Sequence, residues 1–359
     1  MNNVSNPLVS VIISSYNHEK YVLGCLRGLF GQDYDNFEVH IRDDGSSDKT
    51  PETIKAFLND KNNTHNIFNT FEFGENIGFV NSVNLLLKKC KGDIIMLHGS
   101  DDEYLPGRIR KAVETHQKYS DFHLVACNAQ VISENGELIR QSFYNLNKKG
   151  TNENEFVIKY KDINYKSALN LGLGGFGISF KKSMLEPIGF QLPYKLLFED
   201  GYLAFLASIK GGALIFKESL IKYRRSYFSI SGIKPLLNSI QILKQEKHFF
   251  QLLLSMEESK LEYLKNNFPV NEIIERNRKS AIKFTEQKIA IYKIKISISD
   301  SNFDLKNWFK LLYLFILGPK SKYSLQILIY SLHKRKIRKL IISNFKIREL
   351  NLQSPIRYN

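Results

Sequence analysis

The sequence predicts an α/β protein built on a mainly parallel sheet flanked by helices. Three observations carry that expectation. Short apolar, β-branched runs alternate with segments of helical periodicity, at the pitch of βαβ units. The runs suit strands buried on both faces. Two of them lead into acidic pairs, Asp43-Asp44 and Asp101-Asp102, at the carboxyl edge where open α/β sheets bind ligands.

Residues 9–14 (VSVIIS) predict the first buried strand, and Tyr16-Asn17-His18 the turn after it. Residues 21–31 place Val22, Leu23, Leu26, Leu29 and Phe30 at helical spacing. Residues 37–41 predict a second strand ending at Arg42-Asp43-Asp44-Gly45. Lys49-Thr50-Pro51 reads as a helix start, because Pro is tolerated in the first turn. Residues 67–73 give a weaker strand, 78–90 an amphipathic helix, 93–97 a strand, 105–119 a helix and 122–126 a strand. Connections between parallel strands should be right-handed. Residues 145–154 read as a polar loop, and Gly-rich 171–180 becomes strand-like. Residues 214–216 and 220–223 read as two short strands. From about residue 235 the pattern turns to long, Lys-rich helical periodicity, so the chain divides into 1–235 and a basic, mostly helical 236–359.

A hydrophobic fraction of 43% in 359 residues supports a real core. Cys25, Cys90 and Cys127 are too few and scattered for a disulfide framework or a zinc site, and read as free thiols in a reducing compartment. The N-terminus lacks the pattern of a secretory signal. No run reaches the ~18 apolar residues of a membrane span. The expected location is cytoplasmic, with peripheral attachment to the inner face of the membrane as a variant. The net charge is +15, and roughly +13 of it falls after about residue 240.

Three acidic sites carry the chemistry. A carboxylate of Asp43 or Asp44 can accept a hydrogen bond from a pyrimidine or a ribose, with Gly45 permitting a tight turn. The same string also suits a helix cap and turn. In Ser100-Asp101-Asp102 two adjacent charges repel, and a hard cation such as Mg²⁺ or Mn²⁺ would relieve them. Asp102 also suits the cap of the helix from 105. Glu199-Asp200, before an apolar helix, can supply a general base. The helix N-terminus lowers and burial raises the pKa there, and sequence does not decide between them.

The order and context of these sites resemble the inverting glycosyltransferases of family 2, which have the Rossmann-like GT-A fold. Residues 9–50, with their DDGS turn, are similar to that family's opening strand–helix–strand. Residues 75–106 (ENIGFVNSVNLLLKKCKGDIIMLHGSDDEYLP) look like its next helix and metal-binding DxD region, and FEDGYLAFLASIKGG like its ED motif. The resemblance covers about residues 7–230. It implies that Ser14, Ser15, Tyr16 and Asn17 lie beside the nucleotide base and that Asp44, with Asp43, contacts it. It implies that Asp101 coordinates Mn²⁺ or Mg²⁺ with Ser100 and Asp102 beside it, and that Asp200, next to Glu199, is the catalytic base. The implied partners are a nucleotide-sugar, a UDP-sugar first, and a glycan or polyprenyl-linked glycan acceptor in surface polysaccharide assembly. The alternatives are a catalytically degenerate nucleotide-sugar binder and a metal-dependent nucleotidyltransferase.

Two positions depart from the family pattern. Gly99 replaces the usual first Asp. Val83, before Asn84, replaces a frequent Arg, and Arg224 or Arg225 is the candidate substitute near the diphosphate. No QxxRW string follows the ED motif, which points to single-sugar addition. The literal GxGxxG of Gly172, Gly174 and Gly177 is followed by strand-like ISF, which argues against a dinucleotide fingerprint. His98 reads as a strand-end packing residue. The basic residues 334–341 and the apolar 308–317 suit an anionic membrane surface, or simply a solvated helical face. Nucleic acid is not expected as a partner, because no accompanying motif supports it. Apolar C-terminal helices could pair in a homo-oligomer.

Overall fold

A computed structural model describes residues 6–65, 67–144, 175, 177–194, 196, 199–210, 212–225, 239–266 and 272–299. The elements in chain order are β1 (Val9–Ser15), α1 (Val22–Phe30), β2 (Phe37–Asp43), α2 (Thr50–Asn59), α3 (Lys61–Thr64), β3 (Phe68–Phe73) and α4 (Phe79–Leu87). There follow β4 (Ile94–Leu97), β5 (Glu103–Tyr104), α5 (Arg108–Lys118), β6 (Leu124–Ser133), β7 (Leu138–Arg140) and β8 (Ile178–Lys181). A 3₁₀ segment (Lys182–Ile188), α6 (Glu199–Lys210), β9 (Ala213–Arg225), α7 (Ser239–Asn266) and α8 (Glu272–Ser299) complete the described elements.

The described strands form one sheet in the order β3-β2-β1-β4-β8-β6-β9-β5, with β7 beside β6. The half from β3 to β4 is parallel, as its apolar runs require. β8 then enters antiparallel between β4 and β6, which local pattern does not reveal. β1 sits between β2 and β4, so both acidic pairs emerge at the same edge beside its last residues. The inward residues Val11, Ile13, Val39, Ile41 and Met96 pack with Cys25, Leu26 and Leu29 of α1 in one buried cluster. Burial of this apolar surface is the main term holding β1 and β2 together.

Three expectations are corrected. The helix expected over 105–119 forms but starts late: Pro106 and Gly107 (φ +84°) delay it to Arg108, and Glu103–Tyr104 before it pairs with β9. Asp102 is therefore no helix cap. Residues 214–216 and 220–223 are not separate strands but parts of β9. Its register against β6 shifts on either side of Asn128, and such bulges carry a strand through the polar Lys217-Glu218. The strand expected at 122–126 runs on to Ser133 because β9 pairs along its whole length.

The chain forms two compact units. One comprises residues 1–236 with 259–282, the other 237–258 with 283–359. In the second, Lys288 Nζ lies 3.4 Å from the fully buried Glu257 Oε1. No described helix is long and apolar enough to cross a membrane. The polar loop 145–154, Gly172, Gly174, and residues 308–317 and 334–341 lie outside the described residues. Gly177 leads directly into β8, not a helix, so the dinucleotide fingerprint lacks its second half.

Ile41 is fully buried at the centre of β2. Ile41→Ala is expected to destabilise the protein by about 3 kcal/mol, the usual cost of such a cavity. Urea denaturation measures it, and a loss under about 1 kcal/mol would mean that this core is not tightly packed.

Candidate active site

The turns after β1 and β2 are stitched to each other. Asn17, held at φ 53°, donates its N–H to Ser46 Oγ at 2.8 Å, and its Oδ1 accepts from Ser47 N at 2.9 Å. His18 N donates to Thr50 Oγ1 and Glu19 N to Asp48 Oδ2. Asp43 closes the same knot. It is fully buried and accepts from Ser15 Oγ (2.8 Å), Ser46 Oγ (2.7 Å) and Ser46 N (2.8 Å). Gly45 has φ +79°, and a Cβ there would lie 2.9 Å from Asn76 N, so this turn needs glycine. The half-exposed Tyr16 ring borders the knot.

Asp44 faces the loop before α4. Its carboxylate accepts from Ile77 N (2.9 Å), Gly78 N (2.9 Å) and Ser82 Oγ (2.8 Å). Gly78 supplies no side chain to cap α4, and Asp44 serves that end from outside. Arg42 Nη2 stands 3.6 Å from Asp44 Oδ1, and its Nε donates to Ser82 Oγ. Both members of the pair thus organise protein turns.

The loop after β4 is tied to the knot by Ser100. Its Oγ donates to Ser14 O at 3.3 Å and lies 2.7 Å from His18 Nδ1. Asp102 is buried and accepts from Arg224 N at 2.8 Å, while Asp101 is partly exposed. Burial, then the Asp101 charge, push the Asp102 carboxyl well up from the ordinary range. A Cβ on Gly99 would stand 2.8 Å from Asp102 Oδ2 and 3.1 Å from Asp101 Oδ1. The two carboxylates therefore fill the space that a side chain at position 99 would take. No cluster of three or more His, Cys, Asp or Glu suited to a metal occurs among the described residues. Two hard carboxylates in mutual repulsion nevertheless fit a divalent cation whose other ligands come from a diphosphate or water. His98 stacks on Tyr104 at 3.7 Å, and burial, then the Arg108 charge, push its pKa down to about 3. It is a neutral packing histidine.

Glu199 and Asp200 open α6, as the sequence indicates. Here burial outweighs the helix end: it raises Asp200 to about 6, against the N–H of Gly201 and the charge of Lys260. Burial, then the Asp200 charge, raise Glu199 to about 8. A cavity of about 90 Å³ is lined by Ser14, Val83, Gly99, Asp102 and Glu199, among others. The ends of β1 and β4 and the start of α6 thus meet in one place.

Other candidates are engaged elsewhere. Asn84 exchanges two hydrogen bonds with the Leu192 backbone, at 2.8 and 2.9 Å. Arg224 donates to the carbonyls of Asp101, Ser133 and Glu134, pairs with Glu103 at 3.0 Å and lies over the Tyr21 ring. It braces the Asp101-Asp102 loop from behind. Arg225 is partly buried at the end of β9. His18 and Ser82 are structural partners that sequence reading missed, whereas Ser46 belongs to the DDGS turn it singled out. The Ser and Thr of SSDKT carried a turn signal, but nothing local marks His18 or Ser82 as carboxylate-loop residues.

Residues 10–189 match the glycosyl transferase family 2 model, and the chain belongs to that family. It is 26% identical over 230 residues to the UDP-Glc:alpha-D-GlcNAc-diphosphoundecaprenol beta-1,3-glucosyltransferase WfgD of Escherichia coli, covering 63% of this chain and 81% of WfgD. S. aureus TarS 1–349 in complex with UDP-GlcNAc superposes with a TM-score of 0.51 and 16% identity, covering 90% of this chain and 79% of that one. The mannosyltransferase PcManGT of Pyrobaculum calidifontis, in complex with GDP-Man and Mn²⁺, gives 0.50 and 15%, covering 92% and 87%. Both likenesses establish the GT-A fold. The chain spans 38–39% of the length of three curated glycosyltransferases of Rickettsia and Haemophilus that it matches at 29–30% identity.

Glu199 gives a pH test. Its raised pKa means that folding favours the protonated form. That stability is full below about pH 4 and is lost as pH rises through about 8. Glu199→Gln stays neutral throughout. Its Tm should exceed the native value by several degrees near pH 9 and match it near pH 5. A Tm difference that does not change with pH, read by scanning fluorimetry, would rule out a buried ionisation at Glu199.

Proposed function

We propose that this protein transfers one sugar, with inversion, from a nucleoside-diphosphate sugar to a glycan or polyprenyl-linked glycan acceptor. The observation that carries the reading is the shared cavity, where Asp102 and Glu199 meet beside the end of β1. A donor diphosphate beside Asp101 and Asp102 would leave its anomeric carbon facing the start of α6. Ser14, Ser15, Tyr16 and Asn17 border the turn for the base, and the exposed Tyr16 ring offers a stacking face. Asp43 and Asp44 hold that turn and its neighbour in shape. UDP-sugars are the first donors to test, since the WfgD name and the TarS complex both contain one. The diphosphoundecaprenol in the WfgD name favours a lipid-linked acceptor.

With a pKa of about 6, Asp200 is ionised at neutral pH and close enough to neutrality to act as a base. It removes the proton of the acceptor hydroxyl. The hydroxyl oxygen bonds to the anomeric carbon as the bond to the phosphate oxygen breaks. The electron pair leaves with the nucleoside diphosphate, and the configuration inverts. Glu199, still protonated, keeps a second charge out of the pocket. Asp101 and Asp102 would hold a Mn²⁺ or Mg²⁺ that offsets the charge of the departing diphosphate.

Two measurements test the reading. In a thermal-shift screen of nucleotide-sugars with Mn²⁺ or Mg²⁺, one donor should raise the Tm, and Asp101→Ala should abolish that shift. A folded protein that shifts with no donor counts against the reading. Asp200→Asn should keep the donor shift but lose at least about 100-fold in transfer rate, and the native kcat should fall below pH of about 6. Transfer unaffected in Asp200→Asn would remove Asp200 from the mechanism.

A further inference from the structure

The cavity shared by Asp102 and Glu199 has apolar walls. Its floor comes from the sheet. Ile12 and Leu97 line it and are register partners on β1 and β4. Alternation along β1 puts Ile12 on the face away from Val11 and Ile13, which belong to the cluster around α1. The second wall is α4. Phe79 and Val83, four residues apart and so on one side of that helix, both line the cavity. Val83 is 2% exposed, whereas Phe79 is 37% exposed and open to solvent.

The ionisable groups at this cavity are nearly all acidic. Among the described residues that line it, none is Lys or Arg, and Asp102 and Glu199 are the carboxylic acids. The rest are glycines, Ser14 and the neutral His98. Arg224 directs its guanidinium to backbone carbonyls and to Glu103 instead. The volume of about 90 Å³ is less than the ~150 Å³ of an engineered cavity that holds benzene. It therefore encloses a substituent of a sugar ring rather than the whole ring. A carboxylate placed there would lose water, meet no cationic side chain and stand beside two carboxyl groups, which is costly. A hydroxymethyl or acetamido group carries no charge, and its carbon atoms would meet the apolar walls.

We infer that this cavity selects the donor sugar by charge: it admits a neutral hexose or N-acetylhexosamine and rejects a uronic acid, with Phe79 and Val83 as specificity-determining residues. The inference rests on the nucleotide-sugar reading above and adds the class of sugar to it.

The test is calorimetric titration of the full chain, with Mn²⁺, by UDP, UDP-glucose and UDP-glucuronic acid. The two sugars differ only in a hydroxymethyl against a carboxylate at C6. UDP-glucose should bind at least about tenfold more tightly than UDP-glucuronic acid. Val83→Lys places an ammonium in the wall and should bring the ratio of the two Kd values to about one or below. Phe79→Lys should do the same from a partly exposed position, where a lysine is tolerated even if Val83→Lys does not fold. Val83→Met, long but neutral, should keep the native ratio. Equal affinity of the native protein for both sugars, with UDP bound, would overturn this inference and leave the donor reading standing. Discrimination that survives in the lysine variants, or that disappears in Val83→Met, would also overturn it. Native protein that binds neither UDP nor either sugar would count against the donor reading and remove this inference with it.

Discussion

The hydrogen bonds between the turns after β1 and β2 set the shape on which the candidate site rests. β1 and β2 are parallel neighbours, so their C-terminal turns emerge side by side. The backbone N–H groups of residues 17–19 have no strand partner there and must be satisfied locally. Ser46, Asp48 and Thr50 supply the acceptors. His18, fixed by its N–H on Thr50, then reaches Ser100 in the loop after β4. Three loops from distant parts of the sequence are thereby held in register before any ligand arrives, which is the preorganisation that catalytic sites need.

The site gathers more negative charge than a buried surface tolerates, and the fold handles each carboxylate differently. Asp43 and Asp44 are surrounded by hydroxyl and amide donors, and Asp44 also has Arg42. Asp102 has one backbone donor and the charge of Arg224 against burial and a like-charged neighbour, and burial wins. Glu199 meets its burial by keeping its proton. The tension therefore stays at Asp102 and Glu199 and is relieved at Asp43 and Asp44.

Much of the parallel half was legible in the sequence. VSVIIS and FEVHI are short, β-branched and bounded by turns, so their strands appear where the pattern places them. The acidic pairs were visible as strand-end residues because both lie just beyond such runs. The role of Asp44 was less legible. Its partners at 77–82 are 33 to 38 residues away, and no local pattern encodes that approach. β5 was missed because two residues before a proline carry no periodicity. Gly99 looked like a missing ligand, whereas the space beside it is taken by the carboxylates of its own neighbours.

All three cysteines are buried and unpaired. Burial raises the thiols of Cys25 and Cys127 and pushes Cys90 up to about 12. Since the thiolate is the reactive form, none is a ready nucleophile. The native protein is therefore nearly silent towards maleimides and iodoacetamides. Tyr194, 68% exposed, lies two residues beyond the Leu192 backbone that Asn84 grips from α4. A single fluorophore attached through Tyr194→Cys would sit on this anchored segment without removal of any native cysteine, and the movement of that face of the protein could be followed optically.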